Sequence, residues 1–291
     1  MTDLLTRLLE ERDWLLADGA TGTTLFAAGL EAGEAPELWN VDRPDAVRAL
    51  HQGFVDAGAD LILTNSFGGS RYRLKLHDAQ DRVRELNQRA AELAREVADA
   101  SGRPVVVAGS MGPTGEILEP VGALSFEDAV DAFAEQAEGL MAGGADVLWA
   151  ETISSEEEIR AAAAAAARVE APFCGTLSFD TAGRTMMGVT STRYVELGPE
   201  LATAPLAFGA NCGVGASDLL RTLLGLKQAV DAAPASAALI AKANAGVPRY
   251  IDGAVVYDGT PSLMGEYAKL ARRSGARIIG GCCGTTATHL A

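Results

Sequence analysis

Gly143-Gly144-Ala145-Asp146-Val147-Leu148-Trp149-Ala150-Glu151 holds one repeating unit of this chain in nine residues. The glycines close a helical stretch, where a left-handed residue is wanted. A short apolar run follows, with no polar alternation, as in a parallel strand covered on both faces. It ends on a carboxylate. The same helix-to-strand joint recurs at Ala57-Gly58-Ala59-Asp60 and Ser274-Gly275-Ala276-Arg277. Around these joints, strands are expected near Trp14–Asp18, Asp60–Asn65, Pro104–Ser110, Asp146–Glu151, Phe173–Phe179, Leu206–Asn211, Ala238–Asn244 and Ala276–Cys283. Helical stretches lie between them, near Pro44–Ala57, Ala79–Ser101, Phe126–Gly143, Ser155–Val169, Thr192–Ala202, Ala216–Ala233 and Ser262–Ser274. Ser125 with Asp128 and Ser155 with Glu158 have capping-box spacing at helix starts.

Eight strands alternating with helices predict an α/β fold, a (β/α)8 TIM barrel occupying residues 1–291 as a single domain. The rival is a doubly wound open sheet, which gathers its polar residues at one switch point. Here they close many strands: Asp18, Asn65, Ser110, Glu151, Asn211, Asn244 and Cys282. Little sequence follows the eighth strand, so the eighth helix is expected to be short or missing. Either the chain is trimmed, or Leu4–Arg12 or a partner covers that face.

The chain has 291 residues, 48% of them hydrophobic, enough for a large core. Its net charge of −15 argues against nucleic acid or an anionic membrane surface as the main partner, because both require a basic patch. The apolar stretch Leu223–Ala243 is broken by Lys227, Asp231, Pro234 and Lys242, so no membrane span is expected. Met1–Asp13 carries acidic and basic residues throughout, unlike a secretory signal. Four cysteines in a chain of this length make no disulfide scaffold; a reducing, cytoplasmic setting is expected, where clustered cysteines lean towards metal or catalysis.

Three of those cysteines end apolar runs beside glycine, in Gly209-Ala210-Asn211-Cys212-Gly213 and Gly280-Gly281-Cys282-Cys283-Gly284-Thr285-Thr286. Three thiolates hold one zinc with a fourth position open, the arrangement of a catalytic site. The vicinal pair faces one metal only if the backbone leaves strand geometry, which Gly280, Gly281 and Gly284 permit. Three buried apolar cysteines, or a vicinal disulfide, are the plainer alternatives. Cys174 lies inside a strand and reads as core. Asp18-Gly19-Ala20-Thr21-Gly22 follows the first strand and suits an ammonium on Asp18 and a carboxylate on backbone N–H groups, or is an ordinary turn. Glu151 pairs with a bound amino group or caps the next helix; Asn211 and Asn244 orient substrate, support the metal, or are structural amides. His51, His77 and His289 are scattered and assemble no triad.

Together with Thr64-Asn65-Ser66-Phe67, Gly112-Pro113-Thr114-Gly115 and Glu151-Thr152, these motifs cover nearly the whole chain and resemble the zinc-dependent homocysteine S-methyltransferase family. That family includes betaine-dependent enzymes, S-methylmethionine-dependent enzymes and the homocysteine module of cobalamin-dependent methionine synthases. The resemblance implies one Zn2+ on Cys212, Cys282 and Cys283, with homocysteine as methyl acceptor. It implies Asp18 and Glu151 on the amino group and backbone N–H groups around Gly19 and Ala20 on the carboxylate; Asn211 joins them as a substrate contact. The methyl donor is a small one, such as betaine or S-methylmethionine, or a methyl-corrinoid. Alternatively, the chain is the homocysteine-binding subunit of a split cobalamin-dependent methionine synthase. The loops at Thr64 and Gly112 look most like the cobalamin-type module, and Glu151 is followed by Thr152 rather than the tyrosine of the animal betaine enzymes. No Asp-x-His-x-x-Gly motif is present, so a cobalamin route requires a separate corrinoid protein as partner.

Overall fold

In the computed structural model, which describes residues 3–180, 182–233, 237–251 and 254–291, eight parallel strands close into a barrel. They are β1 (Leu15–Leu16), β2 (Leu61–Leu63), β3 (Val106–Met111), β4 (Val147–Ile153), β5 (Phe173–Leu177), β6 (Ala207–Cys212), β7 (Ala238–Ala243) and β8 (Ala276–Gly281). From β2 to β8 each strand pairs with the next in sequence, and β8 returns to β1, with Leu15 opposite Ile278. The seam between β1 and β2 is closed by a bridge from Ala17 to Leu61 and by the Asp18 N–H donating to the Leu61 carbonyl at 3.0 Å. An open sheet is thereby excluded.

Side chains alternate between two cores. Leu15, Leu61, Leu63, Val106, Ala108, Val147, Trp149, Cys174, Ala207, Ile240 and Ile278 point inward and fill the bore. Cys174 is therefore core, as its apolar surroundings predicted. Ile62, Val107, Leu148, Phe173, Leu239 and Ile279 point outward under the helices. The alanine-rich helix Glu156–Arg168 buries five alanines completely, their small size allowing close approach to the sheet.

The N-terminal segment departs from expectation. Residues Leu4–Glu11 form helix α1, with Asp3 capping it through the Thr6 N–H at 2.8 Å. This helix does not cover the eighth-helix face. Leu5 and Leu8 insert among the inward residues and plug the bore where the strands begin. Each such leucine contributes about 1.5–3 kcal/mol by leaving water. The Arg277 guanidinium, at the start of β8, donates to the carbonyls of Leu9 and Arg12 and fastens the plug. The eighth-helix position is held by a four-residue helix, Ala287–Leu290, between the helices Pro44–Asp56 and Pro261–Arg273. A hairpin, Arg249–Ile251 with Ala254–Val256, rises from the loop between β7 and β8. No helix among the described residues is long and apolar enough to cross a membrane.

Candidate active site

The C-terminal ends of β6 and β8 bring the three cysteines together. Their sulfurs lie within 4.8 Å of one another, and all three residues are partly exposed. Cys282 and Cys283 leave the strand through a turn: the Thr285 N–H donates to the Cys282 carbonyl at 3.1 Å, and Gly284 takes φ +80°. A side chain at 284 would meet the Tyr257 ring, so glycine alone fits. Cys212 itself is left-handed at φ 62°, which turns its thiol across the barrel mouth. All four cysteines of the chain are free thiols. The Cys282 thiol, and then that of Cys283, donates to Cys212 and pulls its pKa down to about 3; the same donation pushes Cys283 up to about 11 and Cys282 above its ordinary value. Soft sulfur donors gathered at one mouth, with amide N–H groups turned on two of them, suit a thiophilic metal ion.

Those amides are Asn244, 3.6 Å from Cys212 Sγ, and Asn211, 3.8 Å from Cys282 Sγ. Asn211 does more. Its Oδ1 accepts the Thr152 N–H at 2.8 Å and its Nδ2 donates to the Thr152 hydroxyl at 2.7 Å. Thr152 is also left-handed, at φ 62°, beside a register shift in β4. Non-glycine residues in this region cost about 1–3 kcal/mol each, so the amide holds two strained strand ends in place. The Asn211 amide thus ties the end of β4 to the Cys282 thiol.

Across the mouth stand two carboxylates and a lysine. Asp18, at the end of β1, is fully buried; its Oδ1 accepts from Lys242 Nζ at 2.6 Å and its Oδ2 from the Leu63 N–H at 2.7 Å. Lys242, on β7, sits over the Trp149 ring with Nζ 5.9 Å from its centroid. Glu151, on β4, accepts from the Ser110 hydroxyl through Oε1 at 2.5 Å. Burial raises the Glu151 pKa, opposed by Lys242 and by Ser110. Burial also works against the lysine's charge, but Asp18 and then Glu151 outweigh it and hold the Lys242 pKa above its ordinary value.

The Gly19–Ala20 loop lies beside this group, but the Ala20 N–H is already donated to the Thr285 carbonyl at 3.1 Å. Helix α2 (Thr21–Ala27) starts immediately after it. Ser110 is itself braced, its N–H donating to the Thr64 hydroxyl at 2.9 Å and its carbonyl accepting from Ser66 at 2.7 Å. Asn65 turns away from the mouth and binds Asn40 and the Pro36 carbonyl, a structural amide. Glu158 does not close a capping box with Ser155; its carboxylate takes the N–H and hydroxyl of Thr114 and secures the loop after β3. Lys242 escaped the sequence reading, although a lysine inside Leu239-Ile240-Ala241-Lys242-Ala243 was the available signal. Tyr257 escaped it too, and its hydroxyl interacts with Cys283.

The family model for homocysteine S-methyltransferase matches residues 15–291. Methionine synthase of Mycobacterium tuberculosis is 32% identical over 309 residues, an alignment that takes in 99% of this chain and 25% of that protein. Its counterpart in Mycobacterium leprae is also 32% identical, with 24% of its length covered. The chain thus spans about a quarter of the length of the curated relatives it matches. Among solved structures, the homocysteine methyltransferase MmuM from Escherichia coli, in its metallated form, superposes with a TM-score of 0.80 at 26% identity, covering 99% of this chain and 98% of that one.

Proposed function

The chain belongs to the homocysteine S-methyltransferase family, and from that footing we propose that it makes methionine by moving a methyl group onto the sulfur of homocysteine. The observation that carries this reading is the cluster of Cys212, Cys282 and Cys283 facing Glu151 and Asp18 across one barrel mouth. The three cysteines would hold one zinc ion. Bound there, zinc supplies a position at which the substrate sulfur is a thiolate, nucleophilic near neutral pH.

The other residues grip the amino acid. Glu151, backed by Asp18, takes the ammonium group. The Gly19 N–H and the first turn of α2 take the carboxylate, with the Ala20 N–H engaged elsewhere. Fixing both ends of the amino acid presents its sulfur and turns an encounter into a positioned reaction. The sulfur attacks the methyl carbon in line. A carbon–sulfur bond forms as the bond to the departing group breaks, and the electron pair leaves with that group. Three free thiols suit a reducing compartment, the cytoplasm.

The donor in this reading is a small onium compound such as betaine or S-methylmethionine. A second reading makes the donor a methyl-corrinoid on a separate protein, with this chain as the homocysteine-binding subunit. It is favoured by apolar side chains exposed beyond the C-terminal ends of the strands, Val121 at 76% and Met186 at 73% on loops and Tyr250 at 78% on the hairpin. Reduced, zinc-loaded protein is assayed for methionine from homocysteine with betaine, S-methylmethionine and methylcobalamin separately. Turnover with one small donor establishes the first reading, and turnover with methylcobalamin alone establishes the second. Homocysteine that neither binds nor reacts would sink both.

A further inference from the structure

A cavity of about 310 Å3 opens beyond the C-terminal ends of β3, β4 and β5, and none of its residues belongs to the cysteine cluster or to the group of Asp18, Glu151 and Lys242. That volume is at the small end of ligand pockets, about 300–1,000 Å3. Its walls are the loop after β3, the first turn of the helix Glu156–Arg168 and the segment from Met187 to Arg193. Five glutamates line it, Glu116 and Glu119 from the loop and Glu156, Glu157 and Glu158 from the helix. Arg193 is the one cation of the lining among the described residues, and it is spent on Glu156, to which it donates at 2.8 and 2.7 Å. The other four glutamates make no ion pair among the described residues. Glu158 is 4% exposed; its Oε1 accepts from the N–H and the hydroxyl of Thr114, and its Oε2 accepts from nothing among the described residues. Burial raises its pKa, opposed by Thr114, so its charge gains from a cation in the cavity. The dipole of a helix start favours acidic residues, but that accounts only for Glu156, Glu157 and Glu158, whereas Glu116 and Glu119 come from another loop.

We infer that this cavity binds a linear aliphatic polyamine, with ammonium groups on Glu158 and the glutamates around it and methylenes on Ile117, Met187 and Val189. A bare metal ion does not fit. Among the described residues only the three cysteines bring metal-ligating atoms of three side chains within 4.8 Å of one another, so these carboxylates do not close on one ion. A flexible chain with several charges reaches carboxylates that stand apart, and its stem covers apolar surface that an ion leaves wet. An amino acid or betaine brings a carboxylate of its own, which the unpaired glutamates repel. The site therefore takes neither homocysteine nor a small methyl donor, and it stands whether or not the chain transfers methyl groups.

Spermidine is titrated by calorimetry into reduced, zinc-loaded protein at about 0.1 M salt, where loose attraction to the net charge of −15 is largely screened. One spermidine per chain is expected, displaced neither by Mg2+ at equal ionic strength nor by saturating homocysteine. Glu158→Gln keeps an acceptor for Thr114 but removes the buried charge, and is expected to weaken spermidine about 10-fold or more. Glu157→Gln, at an exposed position, is expected to weaken it about two- to fivefold. Met187→Lys, also exposed, places an alkylammonium in the cavity and is expected to abolish binding. Glu10→Gln, exposed on α1 at the other end of the barrel, removes the same charge and should change nothing. Binding that does not saturate overturns the inference. So does displacement by Mg2+ or an equal loss in Glu10→Gln, which would mark a diffuse counter-ion. Displacement by homocysteine, which would put spermidine at Glu151, and Met187→Lys protein that binds like the parent overturn it equally. If the parent takes no homocysteine, the function proposed above fails, and Met187→Lys still decides on the cavity.

Discussion

At its lower end the barrel bore is filled by Leu5, Leu8, Leu15, Leu61, Val106 and Val147, all without exposed surface. At its upper end, above Trp149, the same bore holds Asp18, Glu151 and Lys242, and its rim carries two non-glycine residues in left-handed conformation. The lower layers follow every rule of core packing. The upper layer departs from them through buried charge, strained strand ends and thiols gathered at one point. Such departures are affordable where the rest of the fold supports them. Stability and chemistry are separated along one axis of the barrel, with Trp149 at the border. Its indole N–H is satisfied by the Thr176 hydroxyl at 3.1 Å, while its ring underlies Lys242.

Cys212→Ala strikes the upper end and should have the largest effect. Methyl transfer is expected to fall by about 10^3-fold or more, as several kcal/mol of nucleophile stabilisation are lost. Zinc content falls with it, while the melting temperature of the metal-free protein barely moves; unfolding on zinc loss would show that the thiol cluster is structural. Leu8→Ala attacks the other end. It should destabilise the fold by about 2–5 kcal/mol in denaturant titration, with kcat and KM unchanged below the transition. A change in KM for homocysteine would mean that the two ends are coupled.

Asn211→Ala tests the link between the strained strand ends. Zinc affinity, read by competition with a chelator, should weaken about 10- to 100-fold, as for a partner that orients a metal ligand. Unchanged affinity would show that Thr152 and Cys212 hold their conformations without it. Glu151→Gln tests whether the upper layer is costly to the fold. Because burial raises the Glu151 pKa, the folded protein binds that proton more tightly than the unfolded chain does, so stability falls as pH rises from the unfolded value through the folded one. At neutral pH the glutamine variant should therefore be more stable than the parent, and the advantage should vanish in acid below the unfolded carboxylate pKa. Equal stability at pH 7 would contradict this. Cys174→Ala, in the lower bore, should cost about 1 kcal/mol and leave zinc content and turnover untouched.

Much of this division was legible in the residues. Leu61-Ile62-Leu63 and Val105-Val106-Val107 read as covered strands because their unbroken apolar runs offer neither face to water, and the two cysteine motifs read as a site because glycine flanks them on a barrel pattern. What escaped depends on partners distant in sequence. Leu4, Leu5, Leu8 and Leu9 mark an amphipathic helix, but nothing local says that it enters the bore. The bonds from Asn211 to Thr152 and from Ala20 to Thr285 join residues far apart in the chain, and no local pattern announces them. Lys242 looked like an interruption of an apolar run because its counter-ion is 224 residues away. The hairpin was missed although Asp252-Gly253 stands between its strands in the sequence.

The seam where β1 meets β8 bears on how the molecule comes into being. Leu15 and Leu16 pair with Ile278 and Ile279, and Arg277 ties the last strand to carbonyls of the first helix. During synthesis the opening segment emerges long before its partner exists, since a ribosome adds about 5–20 residues per second. For that interval the plug and the first strand lack half their neighbours, and Leu5, Leu8 and Leu15 are exposed. Contacts this far apart in the chain form slowly. Until β8 has been made, therefore, the apolar segment from Leu5 to Leu15 is the part of this barrel that a chaperone would have to shield.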